Sequence, residues 1–241
     1  MSGVKTEVLL AYETGVHIGD GNLYLKKDRM YRVTYSGNLR NEKEYYRNVL
    51  RKILYTVYGV EPCYYERKHD NTVLLILNSK EIVKMKIKLG IRPGNKNEIA
   101  IPAWIKKNTE LSKACIRGIG DTDFSLSFKK DRKGLYKEPR IELYSRSKAL
   151  IDDIADFLSK LEFTFSVEEG RDKKEFRLRM YGKRNLFRWV REIGFWNPYK
   201  NLKLLTWKIY GYCNPGLNYT DYLNLLRSSW RKTLLQPGVV V

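Results

Sequence analysis

The chain contains its own pattern twice, and that repeat constrains the fold more than any other feature. The apolar residues Tyr46, Leu50, Ile53, Leu54 and Val57 recur 104 residues later as Leu150, Ile154, Phe157, Leu158 and Leu161. Both sets follow the i, i+3, i+4, i+7 spacing of an amphipathic helix. Leu89-Gly90-Ile91 followed by Arg92-Pro93 recurs as Ile193-Gly194-Phe195 followed by Asn197-Pro198, each a helix stop and a turn. A third pair lies at offset 103, where Thr14-Gly15 through Asp20-Gly21 resembles Arg117-Gly118 through Asp123-Phe124. Three pairs at nearly one offset describe two copies of one unit, over residues 1–104 and 105–241. The second copy has a longer hairpin and a C-terminal extension.

Strand signals lie between the helices. Leu126 and Phe128, Ile141 and Leu143, Phe163 through Val167, and Phe176 through Met180 alternate with polar residues. Period two gives each strand one apolar and one polar face. Each half therefore reads helix, two strands, helix, two strands, helix. The expected fold is α+β: two pseudo-symmetric αββαββα halves, each an antiparallel four-stranded sheet with helices on one face.

Charge narrows the partners. Lys and Arg number 46 against 27 Asp and Glu, a formal charge of +19. Such self-repulsion in a folded chain is offset by a polyanion, with nucleic acid first and a membrane surface second. The basic residues alternate with apolar ones inside the strands, so the charge sits on a rigid scaffold. Arg32, Lys129, Arg140, Arg146, Arg177 and Arg179 are the expected DNA contacts. No apolar run is long enough to cross a membrane. Residues 1–10 show no secretion signal, so the expected location is cytoplasmic and nucleoid-associated. Three scattered cysteines and two histidines exclude a disulfide framework and a Cys- or His-built metal site. Any metal would be bound by oxygen, which favours Mg²⁺ or Ca²⁺.

Gly15 and Gly19 share one helix face, as do Gly118 and Thr122. Small residues four apart let helix backbones approach closely, so these four are the expected seam between the halves. Asp20 and Asp123 then end adjacent helices, each against the negative end of a helix dipole and near the other's charge. Two unfavourable placements at equivalent positions call for a divalent cation. Paired metals can clamp the attacking and leaving oxygens of a phosphodiester. Lys96 and Lys200 follow the last helix of each half and can stabilise developing negative charge.

These residues carry a resemblance. Glu13-Thr14-Gly15-Val16-His17-Ile18-Gly19-Asp20-Gly21 and Ile116-Arg117-Gly118-Ile119-Gly120-Asp121-Thr122-Asp123-Phe124 resemble the two motifs of a single-chain LAGLIDADG homing endonuclease. Ile101-Pro102-Ala103-Trp104-Ile105 and Asn197-Pro198-Tyr199-Lys200 add to the match, which covers nearly the whole chain. The archaeal intron-encoded or intein-derived members look nearest, and because no splicing-type Cys or Ser precedes the domain, a free-standing intron product is the expectation. The resemblance implies a monomer that binds a long duplex in the major groove and makes a staggered, Mg²⁺-dependent double-strand break. It implies Asp20 and Asp123 as metal ligands, with the carbonyls of Gly19 and Thr122 beside them. Lys96 and Lys200 look like the basic residues of the active sites. Related scaffolds also serve as intron RNA maturases, so host intron RNA is a second implied partner. A DNA-binding regulator without cleavage is a third reading, but such a protein has no need of two helix-end Asp residues. Phe124 departs from the motif's final glycine, so the second turn is expected to differ. After the second strand the family often has Gln or Lys; here Asn38 and Arg146 stand, with Arg146 preferred. The aromatics of 202–241, among them Trp207 and Tyr222, fit a packing helix better than base stacking.

Overall fold

In a computed structural model, residues 2–26, 30–94, 96–171 and 174–234 are described, with side chains over 5–228. The first half runs α1 (Ser2–Asp20), β1 (Gly21–Lys26), β2 (Met30–Asn38), α2 (Leu39–Tyr45), a π-helical turn (Tyr46–Leu50), α3 (Arg51–Tyr58), β3 (Cys63–Arg67), β4 (Thr72–Asn78) and α4 (Lys80–Lys88). A short helix, α5 (Ala103–Lys106), leads into the second half: α6 (Thr109–Thr122), β5 (Ser125–Lys130), β6 (Tyr136–Ser145), α7 (Lys148–Lys160), β7 (Ser166–Glu169), β8 (Phe176–Tyr181) and α8 (Gly182–Glu192). Two more helices follow, α9 (Pro198–Tyr210) and α10 (Tyr219–Leu234).

Each half holds one antiparallel sheet, ordered β1-β2-β4-β3 and β5-β6-β8-β7. The register puts the apolar alternates on the helix side. Leu23, Val33 and Leu77 form one cross-strand row, and Tyr35 and Leu75 belong to the next. All five are buried, as are Leu126, Ile141 and Met180 in the second sheet. The other face of each sheet has no helix over it and is mostly polar and charged, with Leu74 and Ile76 among the apolar exceptions in the first sheet. The expected α+β fold with two pseudo-symmetric halves is therefore present.

The seam is α1 against α6, the most extensive helix contact in the molecule. Ala11 through Ile18 are all buried, so this stretch of α1 is enclosed on every side. A methyl group on Gly15 would fall 1.9 Å from the carbonyl oxygen of Cys115, and one on Gly118 2.2 Å from that of Tyr12. Only hydrogen fits where these two backbones cross.

The structure corrects two details. The middle helix of the first half begins at Leu39, nearly two turns before the apolar periodicity starts at Tyr46, because Asn38 caps it: Asn38 Oδ1 accepts from Asn41 N at 3.0 Å. Strand β7 is only Ser166–Glu169 and its four residues are exposed. Phe163 and Phe165 precede it as core and core-packing residues, so their alternation was a loop docking, not a strand. The division at 104/105 falls inside α5. In the extension, Trp207 and Tyr222 are buried and Tyr212 is exposed, while the side chain of Trp230 lies outside the described residues.

Candidate active site and nucleic-acid interface

The two seam helices end side by side. A methyl on Gly19 would lie 2.0 Å from Thr122 Oγ1 and 3.1 Å from Asp123 Oδ1, so the bare glycine is what lets the two helix ends meet. Asp20 and Asp123 come together there, and each end is approached by one lysine. Lys96 Nζ donates to the carbonyls of His17 (3.3 Å), Ile18 (3.0 Å) and Gly19, the last turn of α1. Lys200 Nζ donates to Gly120 (2.6 Å), Phe124 (2.6 Å) and Thr122 (3.3 Å), at the end of α6. An ammonium at a helix C-terminus satisfies orphan carbonyls and opposes the dipole. Both lysines thus touch the carbonyls of Gly19 and Thr122 that the resemblance assigns to a metal. A carbonyl oxygen has two lone pairs, so one oxygen can serve both.

Burial makes the carboxyls at this site hard to ionise. Lost hydration pushes the Asp20 carboxyl up to about 8, helped by the nearby Glu42 and Asp123 carboxylates and opposed by Tyr46 and Lys200. Asp123 is raised for the same first reason, against the pull of Lys96 and Lys200. Glu42 is raised by burial. Burial lowers both lysines, against the attraction of the carboxylates. The donors are hard oxygens whose ionised form burial disfavours and a cation would stabilise, which fits a divalent cation of the Mg²⁺ or Ca²⁺ class. Among the described residues no three His, Cys, Asp or Glu side chains converge as a metal cluster. A cation here would need the backbone carbonyls, or phosphate, to complete its shell.

The expected DNA contacts fall into separate places. Lys129, Arg140, Arg177 and Arg179 share the open face of the second sheet. Arg179 Nη1 binds Glu168 at 2.7 Å, Arg140 is paired with Glu142, and the Arg177 guanidinium lies 4.3 Å from the Tyr144 ring. Lys129 Nζ lies 5.0 Å from the Tyr181 ring. Arg32 stands on the open face of the first sheet, its Nε bonded to Asn78 at 2.9 Å. Arg146 is exposed beyond the end of β6, bordering an open cavity with Asn97 and Lys174.

No protein-family model matches the chain, and no curated protein matches it. Solved structures do. The homing endonuclease I-DmoI in complex with DNA and Ca is 18% identical with a TM-score of 0.58, over 83% of this chain and 98% of that one. The LAGLIDADG homing endonuclease I-LtrWI bound to target DNA is 11% identical with a TM-score of 0.55, over 96% and 94%. I-WcaI bound to its DNA recognition sequence is 14% identical with a TM-score of 0.52, over 80% and 82%. The fold is that of the LAGLIDADG homing endonucleases.

Within this LAGLIDADG fold the sequence reading missed Glu42. Its carboxylate accepts from Asn38 N at 2.8 Å and from Asn197 Nδ2 at 3.3 Å, and its charge acts on Asp20. A methyl on Gly37 would fall 2.8 Å from Glu42 Oε2 and 2.4 Å from the Tyr46 ring, so Gly37 makes room for both. Tyr46, in the π-helical turn, donates to Asp20 Oδ2 at 2.7 Å. The signal for Glu42 was the Asn38-x-x-x-Glu42 spacing of a capped helix start. Asp121 was also missed. It is fully buried and accepts from Tyr12 Oη (2.6 Å), Trp196 N (2.9 Å) and Asn197 N (2.9 Å), which fixes the loop leading to Lys200. The departure at Phe124 has a compensation. In the first motif His17 packs on Gly21; at the equivalent positions of the second stand Gly120 and Phe124, both against Trp189, with the Phe124 ring 5.0 Å from that of Trp189.

Proposed function

We propose that this chain is a site-specific DNA endonuclease that cuts both strands of a long duplex. The observation that carries it is the meeting of Asp20 and Asp123 at the seam, each helix end held by its own lysine. The likeness to endonucleases whose structures hold target DNA supports the same reading.

Asp20 and Asp123, with the carbonyl oxygens of Gly19 and Thr122, would hold Mg²⁺ at the helix ends. A cation bound there would activate water and neutralise charge at phosphorus during in-line displacement. The chain's own groups do the rest. Tyr46 fixes one oxygen of Asp20, leaving the other free to bind. Lys96 and Lys200 hold the helix-end carbonyls and add positive charge where the phosphate gains negative charge. Lys129, Arg140, Arg177 and Arg179 on one sheet and Arg32 on the other would contact the duplex, with Arg146 at the rim. Both motifs lie in one chain, so we propose a monomer with halves 1–104 and 105–241. A staggered break would follow from two sites set across the minor groove. A cytoplasmic, nucleoid-associated location follows from the DNA reading, and among the described residues no helix is long and apolar enough to cross a membrane.

The test is cleavage of a duplex library with Mg²⁺, with Ca²⁺ in parallel. Wild type should give discrete double-strand breaks. Asp20→Asn and Asp123→Asn should each bind the selected duplex within about threefold of wild type, yet lose at least about a hundredfold in double-strand cleavage. Full cleavage by both variants would sink the assignment. Host intron RNA enters as a competitor: an RNA that displaces the selected duplex would favour the maturase role.

A further inference from the structure

The two open sheet faces occupy equivalent positions, yet their chemistry differs. Across the middle of the first sheet the register sets Thr34 beside Ile76, and Ser36 beside Leu74. In the second sheet the same places hold Glu142 beside Arg179, and Tyr144 beside Arg177. The correspondence follows from the repeat, because Leu74 and Ile76 lie 103 residues before Arg177 and Arg179. β2 and β6 correspond at 108, after the longer second hairpin.

Leu74 and Ile76 are half-buried on a face with no helix over it, and Tyr65, paired with Leu74 across the strands, is 51% exposed. Apolar side chains at the centre of a water-facing sheet need an apolar partner to gain from desolvation. The duplex offers one such group in its major groove, the C5-methyl of thymine. A guanine edge presents only acceptors there, and neither Leu74 nor Ile76 can donate to them. The second sheet is the opposite. The Tyr144 hydroxyl donates to Glu142 at 2.7 Å, and Arg140 and Arg179 flank the same carboxylate. Among the described residues Arg177 Nε has no hydrogen-bond partner. Guanidinium groups held in place by carboxylates are ready for the O6 and N7 acceptors of guanine, and a carboxylate accepts from the N4 amine of cytosine.

We propose that the two halves read chemically different half-sites: an A·T-rich one, through thymine methyls, under the first sheet, and one with specified G·C pairs under the second. This inference rests on the DNA reading above and names the substrate of that same surface.

Selection of bound duplexes from a randomised library in Ca²⁺, followed by sequencing, tests it. The expected site is lopsided, with one half A·T-rich and the other carrying required G·C pairs. Arg177→Leu should relax a G·C preference by roughly 5- to 150-fold at one or two pairs of the G·C half and leave the other half unchanged. Leu74→Arg should create a G preference in the A·T half. Both substitutions lie on an open sheet face, and circular dichroism checks that the variants fold. A selected site of even composition, or an Arg177→Leu effect in the A·T half, overturns this inference alone. No selected duplex at all overturns the DNA reading and the inference with it.

Discussion

Glu13 and Lys86 form a fully buried ion pair at 2.7 Å in the first half, with Tyr35 and Tyr58 donating to the same carboxylate. The equivalent positions of the second half are apolar, Ile116 and Val190. One fold therefore closes its core in two ways. Removing one partner leaves a buried charge unpaired, so Lys86→Met should cost about 3–5 kcal/mol in urea denaturation. The double variant Glu13→Ile, Lys86→Val should lose less than Lys86→Met alone. It will not recover fully, because the two tyrosine hydroxyls lose their acceptor. A double variant weaker than the single one would show that the pair itself stabilises the half. A second residue-scale prediction concerns pH. In the cation-free chain Asp20 keeps its proton up to about 8 and Asp121 up to about 6, both through burial. The folded state then binds protons that the unfolded chain has released, so stability falls as pH rises from about 4 to about 8. Glu42 and Asp123 face Asp20 and push the same way, while Tyr46 and Lys200 oppose them. The melting temperature without divalent ions should fall between about pH 6 and about pH 8, less so in Asp20→Asn. Mg²⁺ should restore more stability at the upper end, because it binds the deprotonated form. Asp20, Asp123, Lys96 and Lys200 were visible in the sequence because each has a counterpart at a fixed offset. Glu42 was not, because it lies in a helical turn that the second half lacks. β2 and β6 correspond at 108 and the middle helices at 104, and the difference is the turn that carries Glu42.

The seam helices decide how precisely the two carboxylates meet. Backbone, not side chain, blocks a larger residue at Gly15 and Gly118. Backbone cannot rotate aside, so Gly118→Ala must push α1 and α6 apart. Overpacking of this kind costs about 1–3 kcal/mol or more, measured as a lower denaturant midpoint. The separation should also spread the helix ends, so cleavage should drop further than stability predicts. Gly120→Ala is the informative contrast. Its methyl would meet the edge of the Trp189 ring at 2.9 Å, and a side chain can yield. Gly118→Ala no more harmful than Gly120→Ala would refute a seam held by backbone contact. Elements with strong periodicity were legible from sequence: α7, β5, β6 and β8 stand where their patterns put them. β7 was less so, since Val167 is 45% exposed and the apolar alternation there belongs to a loop. The start of α2 was hidden because its cap, Asn38, is polar and outside the apolar stripe.

At the scale of the whole chain, +19 on 241 residues is the property that binding must explain. Phosphate contacts release counterions, so affinity for any duplex should fall steeply with salt, but RNA would behave similarly. Location on the surface discriminates better. Of the three cysteines, Cys115 and Cys213 are buried, and Cys63 alone is exposed. The register sets Cys63 beside Ile76 on the open face of the first sheet, where the duplex is proposed to lie. The native protein should therefore react with a maleimide at one thiol, and the denatured chain at three. Saturating selected duplex should slow the native reaction at least about tenfold, since a specific protein–DNA interface buries its contact surface. The α2–α9–α10 side of the molecule, where the C-terminal extension packs on the first half, offers no such thiol and serves as the alternative path for a polyanion. Unchanged alkylation under saturating duplex would move the DNA off the first sheet and onto that side. Protection by duplex but not by an equal excess of heparin would show that Cys63 is covered by a docked double helix rather than by any polyanion drawn to the charge.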